Sequence, residues 1–371
     1  MAIQWFSKEE ENNPSRLELS RRGFDLGWIS EDARPSMPDA ETTKAKWLGD
    51  EAIMLPGILT GALAPHEADI KQAHQLMEKT LNGEEIAPQF EAEPYASRLN
   101  PKFPLISAVF EQHDEQCIEK IFFDAEEEGS VIAEDLWCKA SWLSFHDDDA
   151  SMRFRFSLGM EGYEDVAADP ARQMLASEIT DAIFPESAAI TEHQELNRLL
   201  GHILDAKPAY TERIIYFNAP NGGAQMHHDV ERGHLGVVFA QMSGSTGWLA
   251  LGKQVLISEI QHFLTSAHSE DALAKVLPEV SSRQALRELA RDRAALSESM
   301  DQFDHELSEA LMDRCPEFIQ HLFDRGYGYI LNPGDVLLMP QRDLESCVWH
   351  TVFCLGDEPG EALSFALRTI D

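Results

Sequence analysis

Cysteine is scarce in this chain, and its spacing excludes two common ways of stabilising a fold. The sequence has 371 residues and five cysteines, and no two of them are spaced as C-x-x-C. An odd number without close pairs argues against a disulfide framework and against a cysteine zinc site. The five residues are Cys117, Cys138, Cys315, Cys347 and Cys354.

Long apolar runs are also lacking. No stretch of the sequence approaches the roughly 20 apolar residues that a membrane-spanning helix needs. The first residues, Met1 to Glu11, have neither a basic start nor a long apolar run, so they do not resemble a secretory signal. We therefore expect a cytoplasmic protein without a membrane-spanning segment.

Positive charge is the third deficit. Lysine and arginine number 30 against 65 aspartate and glutamate residues, which gives a formal net charge of −35. Nucleic-acid binding needs a basic footprint and anionic membranes repel an acidic surface, so neither partner is expected. A small-molecule substrate, or a basic protein or peptide substrate, is compatible with the negative electrostatic field of such a chain. The simpler explanation, that the acidity only confers solubility, stays open.

The distribution of apolar residues predicts a mainly β protein with added helices. Residues 1–100 are proline-interrupted around one helical pattern at 66–82, and we expect them to form a helical and extended cap. Residues 101–371 are expected to form the main β domain, with a helical stretch at about 170–205. The predicted strands cover 137–145, 152–158, 213–218, 225–230, 235–242, 246–251, 327–340, 346–355 and 362–370.

A helical insertion interrupts the β pattern at 258–325. Ser258 and Gln261 have the spacing of a capping box, which predicts a helix start. Apolar residues then recur mostly at intervals of three, four or seven, which favours an amphipathic or coiled-coil-like hairpin. Such an insertion could be a lid, a homodimer face or a buttress on the β domain, and the sequence does not decide among them.

Two histidines and one aspartate form the strongest candidate site. His227 and Asp229 are two residues apart after a strand pattern, and alternate residues of a strand share a face. His350 lies in a second apolar, strand-like run and could complete the set. Two imidazoles and one carboxylate with open metal positions are the ligand set of non-haem Fe(II) oxygenases.

Two further runs resemble the JmjC and cupin-like 2-oxoglutarate oxygenases. The run at 238–251, V-F-A-Q-M-S-G-S-T-G-W-L-A-L, is similar to the strand pair that follows the H-x-D motif in that family. The run at 331–340, L-N-P-G-D-V-L-L-M-P, is similar to the segment that precedes the family's last histidine. The resemblance implies a double-stranded β-helix (cupin or jelly-roll) fold, Fe(II) bound by His227, Asp229 and His350, and 2-oxoglutarate as co-substrate.

The anchor for 2-oxoglutarate departs from the family's pattern. Thr246 stands where many members have a lysine that binds the co-substrate carboxylate. We expect Arg368 to replace it. A hairpin of 350–355 with 362–369 would place residue 367 opposite His350. Arg368 is one step away, and register predictions of this kind slip by one residue. Tyr216 and Asn218, two apart on the strand before the metal motif, are candidates for the same pocket.

Two alternatives to this oxygenase stay open. The missing lysine favours a metal-dependent cupin enzyme that does not use 2-oxoglutarate, such as an oxidase, an isomerase or a lyase. A non-enzymatic acidic binding protein is the other, and the grouped ligand set argues against it.

Other polar residues near these motifs have simpler explanations. His228 should face away from the two ligands that flank it, because neighbouring strand residues alternate. His234 is expected in an exposed loop, and His146 with the three aspartates that follow it in a solvated turn. Arg153 and Arg155 share one face of a strand, which we expect to be the outer face.

Overall fold

The computed structural model describes residues 16–31, 34–113, 116–143, 151–158, 170–302 and 305–370. The strands are β1 (Arg16–Arg21), β2 (Phe24–Ser30), β3 (Ile53–Leu55), β4 (Leu105–His113), β5 (Gln116–Glu127), β6 (Ser130–Leu143), β7 (Ser151–Leu158), β8 (Lys207–Asn218), β9 (Gly223–His227), β10 (Gly236–Gln241), β11 (Ser245–Gly252), β12 (Gly328–Leu331), β13 (Val336–Pro340), β14 (Val348–Leu355) and β15 (Gly360–Ile370). The helices are α1 (Ala40–Leu48), α2 (Thr60–Leu63), α3 (Glu67–Leu81), α4 (Ile86–Phe90), α5 (Tyr95–Leu99), α6 (Pro170–Ile183), α7 (Ala188–Thr191), α8 (Gln194–Leu204), α9 (Lys253–Leu264), α10 (Ser269–Val276), α11 (Val280–Leu289), α12 (Arg293–Met300), α13 (Glu306–Arg314) and α14 (Pro316–Asp324).

The structure is mainly antiparallel β-sheet with added helices. A nine-stranded sheet has the order β3-β13-β10-β15-β8-β7-β6-β5-β4, and a four-stranded sheet has the order β12-β11-β14-β9. Strands β1 and β2 form a separate hairpin. The predicted strands at 152–158, 213–218, 235–242, 246–251 and in the last 45 residues correspond to observed strands. The expected turn at His146 lies outside the described residues.

The two sheets pack face to face, and helices cover both outer faces. Alternation along β10 shows the layering, because Val237 and Phe239 contact the four-stranded sheet while Val238 and Ala240 join the core on the other side. Every residue of β10, β13 and β14 is buried. Strands buried on both faces read as continuous apolar runs, which is the pattern seen in their sequences.

The helical insertion consists of six short helices, α9 to α14. The coiled-coil-like hairpin expected as one alternative is not found, since no described helix in this part exceeds the 12 residues of α9. Ser258 and Gln261 lie inside α9, which begins at Lys253, and the Ser258 hydroxyl bonds the carbonyl of Gln254 instead of capping a helix. Apolar residues of these helices form one core with the outer face of the four-stranded sheet.

The first hundred residues contact the main sheets at several places, including Phe90, which packs on Phe123 and Phe154. Strand β3 pairs with β13 at the edge of the nine-stranded sheet, and β1 lies against β14. The predicted helix at 66–82 is present as α3. Within the described part of the chain, no helix is both long and apolar enough to cross a membrane.

Two carboxyl groups lie in the core without exposure to solvent. Glu186 follows α6, Glu361 is the second residue of β15, and both are fully buried. Burial raises the pKa of Glu186 to about 7. Burial, together with the nearby Glu186 carboxylate, raises the pKa of Glu361 well above its usual value. A carboxyl with a raised pKa stabilises the folded state only while it is protonated.

This pair predicts a stability that falls as pH rises. The contribution of Glu186 is complete below its unfolded pKa near 4.5 and is lost as pH rises through about 7. We expect Glu186→Gln, which mimics the protonated form, to raise Tm at pH 8 and to have little effect at pH 5. Thermal unfolding followed by circular dichroism measures this, with the exposed Glu84→Gln as control. An equal Tm shift at both pH values would contradict the assignment.

Candidate metal centre

Two histidines meet because their strands are neighbours. His227 is the last residue of β9 and pairs directly with His350 of β14. Residues directly opposite on antiparallel strands project from the same face, so the two rings lie side by side. Their centroids are 4.2 Å apart, at an interplanar angle of 53°.

Asp229 reaches the same point from just beyond the strand. The expectation that it lies on the strand with His227 is wrong, because β9 ends at His227. Its Oδ1 lies 3.6 Å from Nε2 of His227, and its Oδ2 lies 3.5 Å from Nε2 of His350. One ligand atom from each of the three residues lies within 4.8 Å of the others.

The protonation states of these groups fit a divalent cation. The Nδ1–H of His227 donates to the Gln225 carbonyl at 2.7 Å, which leaves Nε2 as the ligand atom. Burial, reinforced by His227, lowers the pKa of His350 to about 3, so this imidazole is neutral. Burial would raise the pKa of Asp229, but the surrounding histidines lower it overall, and the carboxylate is ionised. Metal binding needs this combination of neutral imidazoles and a carboxylate.

Aromatic rings form one wall of the centre. Trp248 stacks on His350 with ring centroids 5.4 Å apart, and Phe239 packs edge-on to Trp248 at 4.5 Å. Thr246 lies behind them, fully buried, where its hydroxyl donates to Gln241 Oε1 and accepts from Trp248 Nε1. The structure thus gives Thr246 a part in orienting Trp248.

A cavity of about 390 Å³ opens beside the three ligands. Tyr216 and Asn218 line it, and burial raises the pKa of Tyr216 to about 12. Arg153 lines it too, so the expectation that this residue faces outward is wrong. Arg153 pairs with Tyr216 across β7 and β8, and its Nε donates to Ser141 Oγ at 2.9 Å. Strand alternation groups residues by face, but it does not say which face is the interior.

Arg368 lies elsewhere, and the strand pairing on which its predicted role depended is wrong. Strand β14 belongs to the four-stranded sheet, whereas β15 lies between β10 and β8 in the nine-stranded sheet. The Arg368 guanidinium donates to Glu212 Oε2 at 3.1 Å and to the Arg232 carbonyl at 3.0 Å.

His234 supports Asp229 from behind. It is only 5% exposed, so the expectation of an exposed loop histidine is wrong. Its Nδ1 donates to the Asp229 carbonyl at 3.1 Å, and its Nε2 donates to Glu212. Although burial opposes it, the contact with His234 lowers the pKa of Glu212 to about 2, and contact with Glu212 raises the pKa of His234. The ion pair therefore fixes the backbone of Asp229, one of the candidate ligands.

Glu212, Glu231 and His234 form a second group whose ligand atoms lie within 4.8 Å of one another. Arg368 already bonds the Glu212 carboxylate, and Arg155 lies 3.5 Å from Glu231. Two neighbouring guanidinium groups oppose a cation here.

The contacts of the His228 ring lie outside the group of candidate ligands. Its ring packs edge-on to Trp349 with centroids 5.2 Å apart, and its Nε2 lies 3.8 Å from Asp301. Burial lowers the pKa of His228.

A buried ion pair holds β9 in place. The Arg21 guanidinium donates to the Ala224 carbonyl at 2.7 Å and to Asp313 Oδ1 at 2.8 Å. Asp313 Oδ1 also accepts from the Met226 backbone N–H at 2.7 Å. Strand β9 is thereby tied to β1 on one side and to α13 on the other. The pattern of the sequence gives no sign of this contact, since the two partners are 292 residues apart.

We expect Arg21→Met to lower the free energy of unfolding by about 3–5 kcal/mol, because it leaves the Asp313 carboxylate buried without its counter-charge. Urea unfolding at constant pH measures this. The double variant Arg21→Met with Asp313→Leu should recover part of the loss, since the buried charge is gone. Arg22→Met, at the exposed neighbouring arginine, is the control. A loss within about 0.5 kcal/mol of wild type would contradict a structural role for the pair.

Comparison with known proteins gives structural likeness only. No protein-family model matches the sequence, and no curated protein matches it. An oxidoreductase of the 2OG-Fe(II) oxygenase family from Burkholderia pseudomallei is 9% identical, with 90% of this chain and 92% of that chain covered at a TM-score of 0.33. YcfD, a ribosomal oxygenase from Escherichia coli, is 13% identical, with 74% of this chain and 42% of that chain covered at a TM-score of 0.25. Both scores are low, so neither likeness assigns a function to this chain.

Proposed function

We propose that this chain is a non-haem Fe(II)-dependent oxygenase that couples the oxidation of a substrate to the turnover of 2-oxoglutarate. The observation that carries the proposal is the convergence of His227, Asp229 and His350 at the edge of a cavity. Two imidazoles and one carboxylate leave metal positions open, as this chemistry requires.

We further propose that the two facing sheets form a double-stranded β-helix. From β8 onward the chain alternates between the nine-stranded and the four-stranded sheet, with β11 and β12 as the one consecutive pair in the same sheet. Four strands of each sheet, β8, β10, β13, β15 and β9, β11, β12, β14, would make up the barrel. The ligands then lie on the inner face, where Phe239 and Trp248 exclude water.

A bound Fe(II) would supply the redox chemistry with dioxygen, and the protein's own residues would position the reactants. Tyr216 keeps its phenol proton because burial raises its pKa to about 12, so it can donate a hydrogen bond to a bound carboxylate. Trp248 shields the His350 side from water. The Glu212–His234 pair holds the Asp229 backbone through its carbonyl. Residues beyond the ligands of a metal centre contribute in this way to affinity.

Arg153 replaces Arg368 as the proposed anchor of 2-oxoglutarate. It lines the cavity together with Tyr216, Asn218 and the metal ligands. A guanidinium can bind a carboxylate through two parallel hydrogen bonds, which a threonine at position 246 cannot do.

A metal-dependent enzyme that does not use 2-oxoglutarate is the second candidate. The observation that favours it is Thr246, whose hydroxyl already bonds Gln241 and Trp248 in the position where the resembling family has a lysine. Conversion of 2-oxoglutarate to succinate by the Fe(II)-loaded protein separates the two candidates. Succinate formation favours the oxygenase, and its absence with stoichiometric metal favours the alternative. A protein that does not bind metal would instead fit the non-enzymatic binding role.

The metal assignment predicts that His350→Ala abolishes both Fe(II) binding and succinate formation, because one of three protein ligands is lost. Anaerobic isothermal titration with Fe(II) and a succinate assay measure the two effects. His228→Ala is the matched control, since it lies between the ligands in sequence but contacts Trp349. Stoichiometric Fe(II) binding and full turnover in His350→Ala would rule out this centre.

If Arg153 binds the carboxylate of 2-oxoglutarate, we expect Arg153→Gln to raise the KM for 2-oxoglutarate by about 10- to 100-fold. The reason is that hydrogen bonds to charged groups contribute about 1.5–3 kcal/mol. Steady-state kinetics at saturating Fe(II) measure this. Arg155→Gln, two residues along the same strand, should leave KM close to wild type. A rise in KM for Arg368→Gln but not for Arg153→Gln would overturn the choice of anchor.

A further inference from the structure

Strand β4 forms one edge of the nine-stranded sheet. It runs for nine residues, Leu105–His113, and pairs antiparallel with β5. Within the described residues, no strand pairs with its other edge. An edge of this kind presents a row of backbone N–H and C=O groups that can pair with another strand.

The side chains of this edge are apolar and exposed. Ile106, Val109 and Phe110 are 56%, 49% and 47% exposed. All side chains from position 106 to 111 are exposed, although strands of this sheet closer to its centre bury at least one face. Phe110 packs against the buried Trp142 of β6, with ring centroids 6.0 Å apart.

The usual protections of an edge strand are weak here. Natural edges carry lysine, proline, inward charges or bulges that prevent pairing. The run Leu-Ile-Ser-Ala-Val-Phe at 105–110 has no charge and no proline, in a chain of which 26% is charged. A bulge is present, but it lies at the start of the strand, between Leu105 and Ser107, and leaves the rest regular.

Charge identifies the partner that this edge fits. Two copies of a chain with a net charge of −35 repel each other over most of their surfaces. The uncharged run of β4 is a place where two copies can meet without opposing like charges. A basic partner would find no carboxylate along this run. A second copy of the same strand, which is complementary to itself, therefore fits better.

We propose that β4 pairs antiparallel with β4 of a second copy, so that two nine-stranded sheets join into one across a two-fold axis. With the axis at Val109, Ala108 lies opposite the partner's Phe110, a small side chain beside a large one. Glu111 lies opposite the partner's Ser107 and not opposite the partner's Glu111, so no like charges face each other. Nine paired residues span about 30 Å at ~3.4 Å each.

This contact differs from a dimer through the helical insertion. The apolar residues of α9 to α14 are largely used in the core against the four-stranded sheet. The large hydrophobic side chains exposed on the described insertion are Val255 and Val280, on separate helices. The β4 contact would also brace β6 and β7, which carry Ser141 and Arg153 of the cavity.

Charge at position 109 tests the contact, because the side chains of the two copies are opposite each other there. We expect wild type to sediment as a dimer in analytical ultracentrifugation at an ionic strength of about 0.15 M, where the repulsion between the two acidic copies is screened beyond about 8 Å. Val109→Glu and Val109→Lys should each be monomeric, because like charges face each other across the axis. An equal mixture of the two variants should form a dimer, because the charges are then opposite. Val109 is half exposed, so both variants should keep the wild-type circular dichroism spectrum and Tm.

Val280→Glu on the insertion is the matched control and should remain a dimer. A monomeric wild type would overturn the proposal. So would Val109→Glu and Val109→Lys variants that each remain dimeric, or a mixture of them that stays monomeric. Dissociation by Val280→Glu with intact dimers of both Val109 variants would assign the dimer to the helical insertion instead.

Discussion

The site depends on one cross-strand pair, His227 opposite His350. Strand β14 lies between β11 and β9, so its register fixes where the second imidazole stands relative to the first. A shift of one residue would turn His350 to the other face and remove it from the centre. The Arg21–Asp313 ion pair holds the short strand β9 in this register. Arg21 belongs to the β1–β2 hairpin and Asp313 to the helical insertion, so both parts of the chain help to position His227.

Burial and charge set the protonation states of the candidate ligands His350 and Asp229. Burial lowers the pKa of His350 to about 3, and the pKa of Asp229 lies below its ordinary value, so a neutral imidazole and an ionised carboxylate are both available. Behind Asp229 the buried Glu212–His234 ion pair fixes the backbone. The acidity of the whole chain has little part in this, because these effects act over a few ångströms.

Much of the centre could be predicted from the sequence, and the parts that could not have a physical reason. The spacing of His227 and Asp229 and the apolar run around His350 indicated three residues that the structure brings together. Local patterns do not state which sheet a strand joins, and for this reason Arg368 was expected beside His350. The alternation of side chains along a strand also did not show whether Arg153 lies on the inner or the outer face of its sheet. The short helices of the insertion were missed because amphipathic spacing shows a buried face but not where each helix ends.

The central claim is that these three side chains bind one Fe(II). X-ray absorption at the iron edge, on protein loaded anaerobically with one equivalent of Fe(II), tests it most directly. The account predicts a first coordination shell of nitrogen and oxygen, with the multiple-scattering signature of two imidazoles and no sulfur. A spectrum without imidazole scattering, or with sulfur from any of the five cysteines, would contradict it.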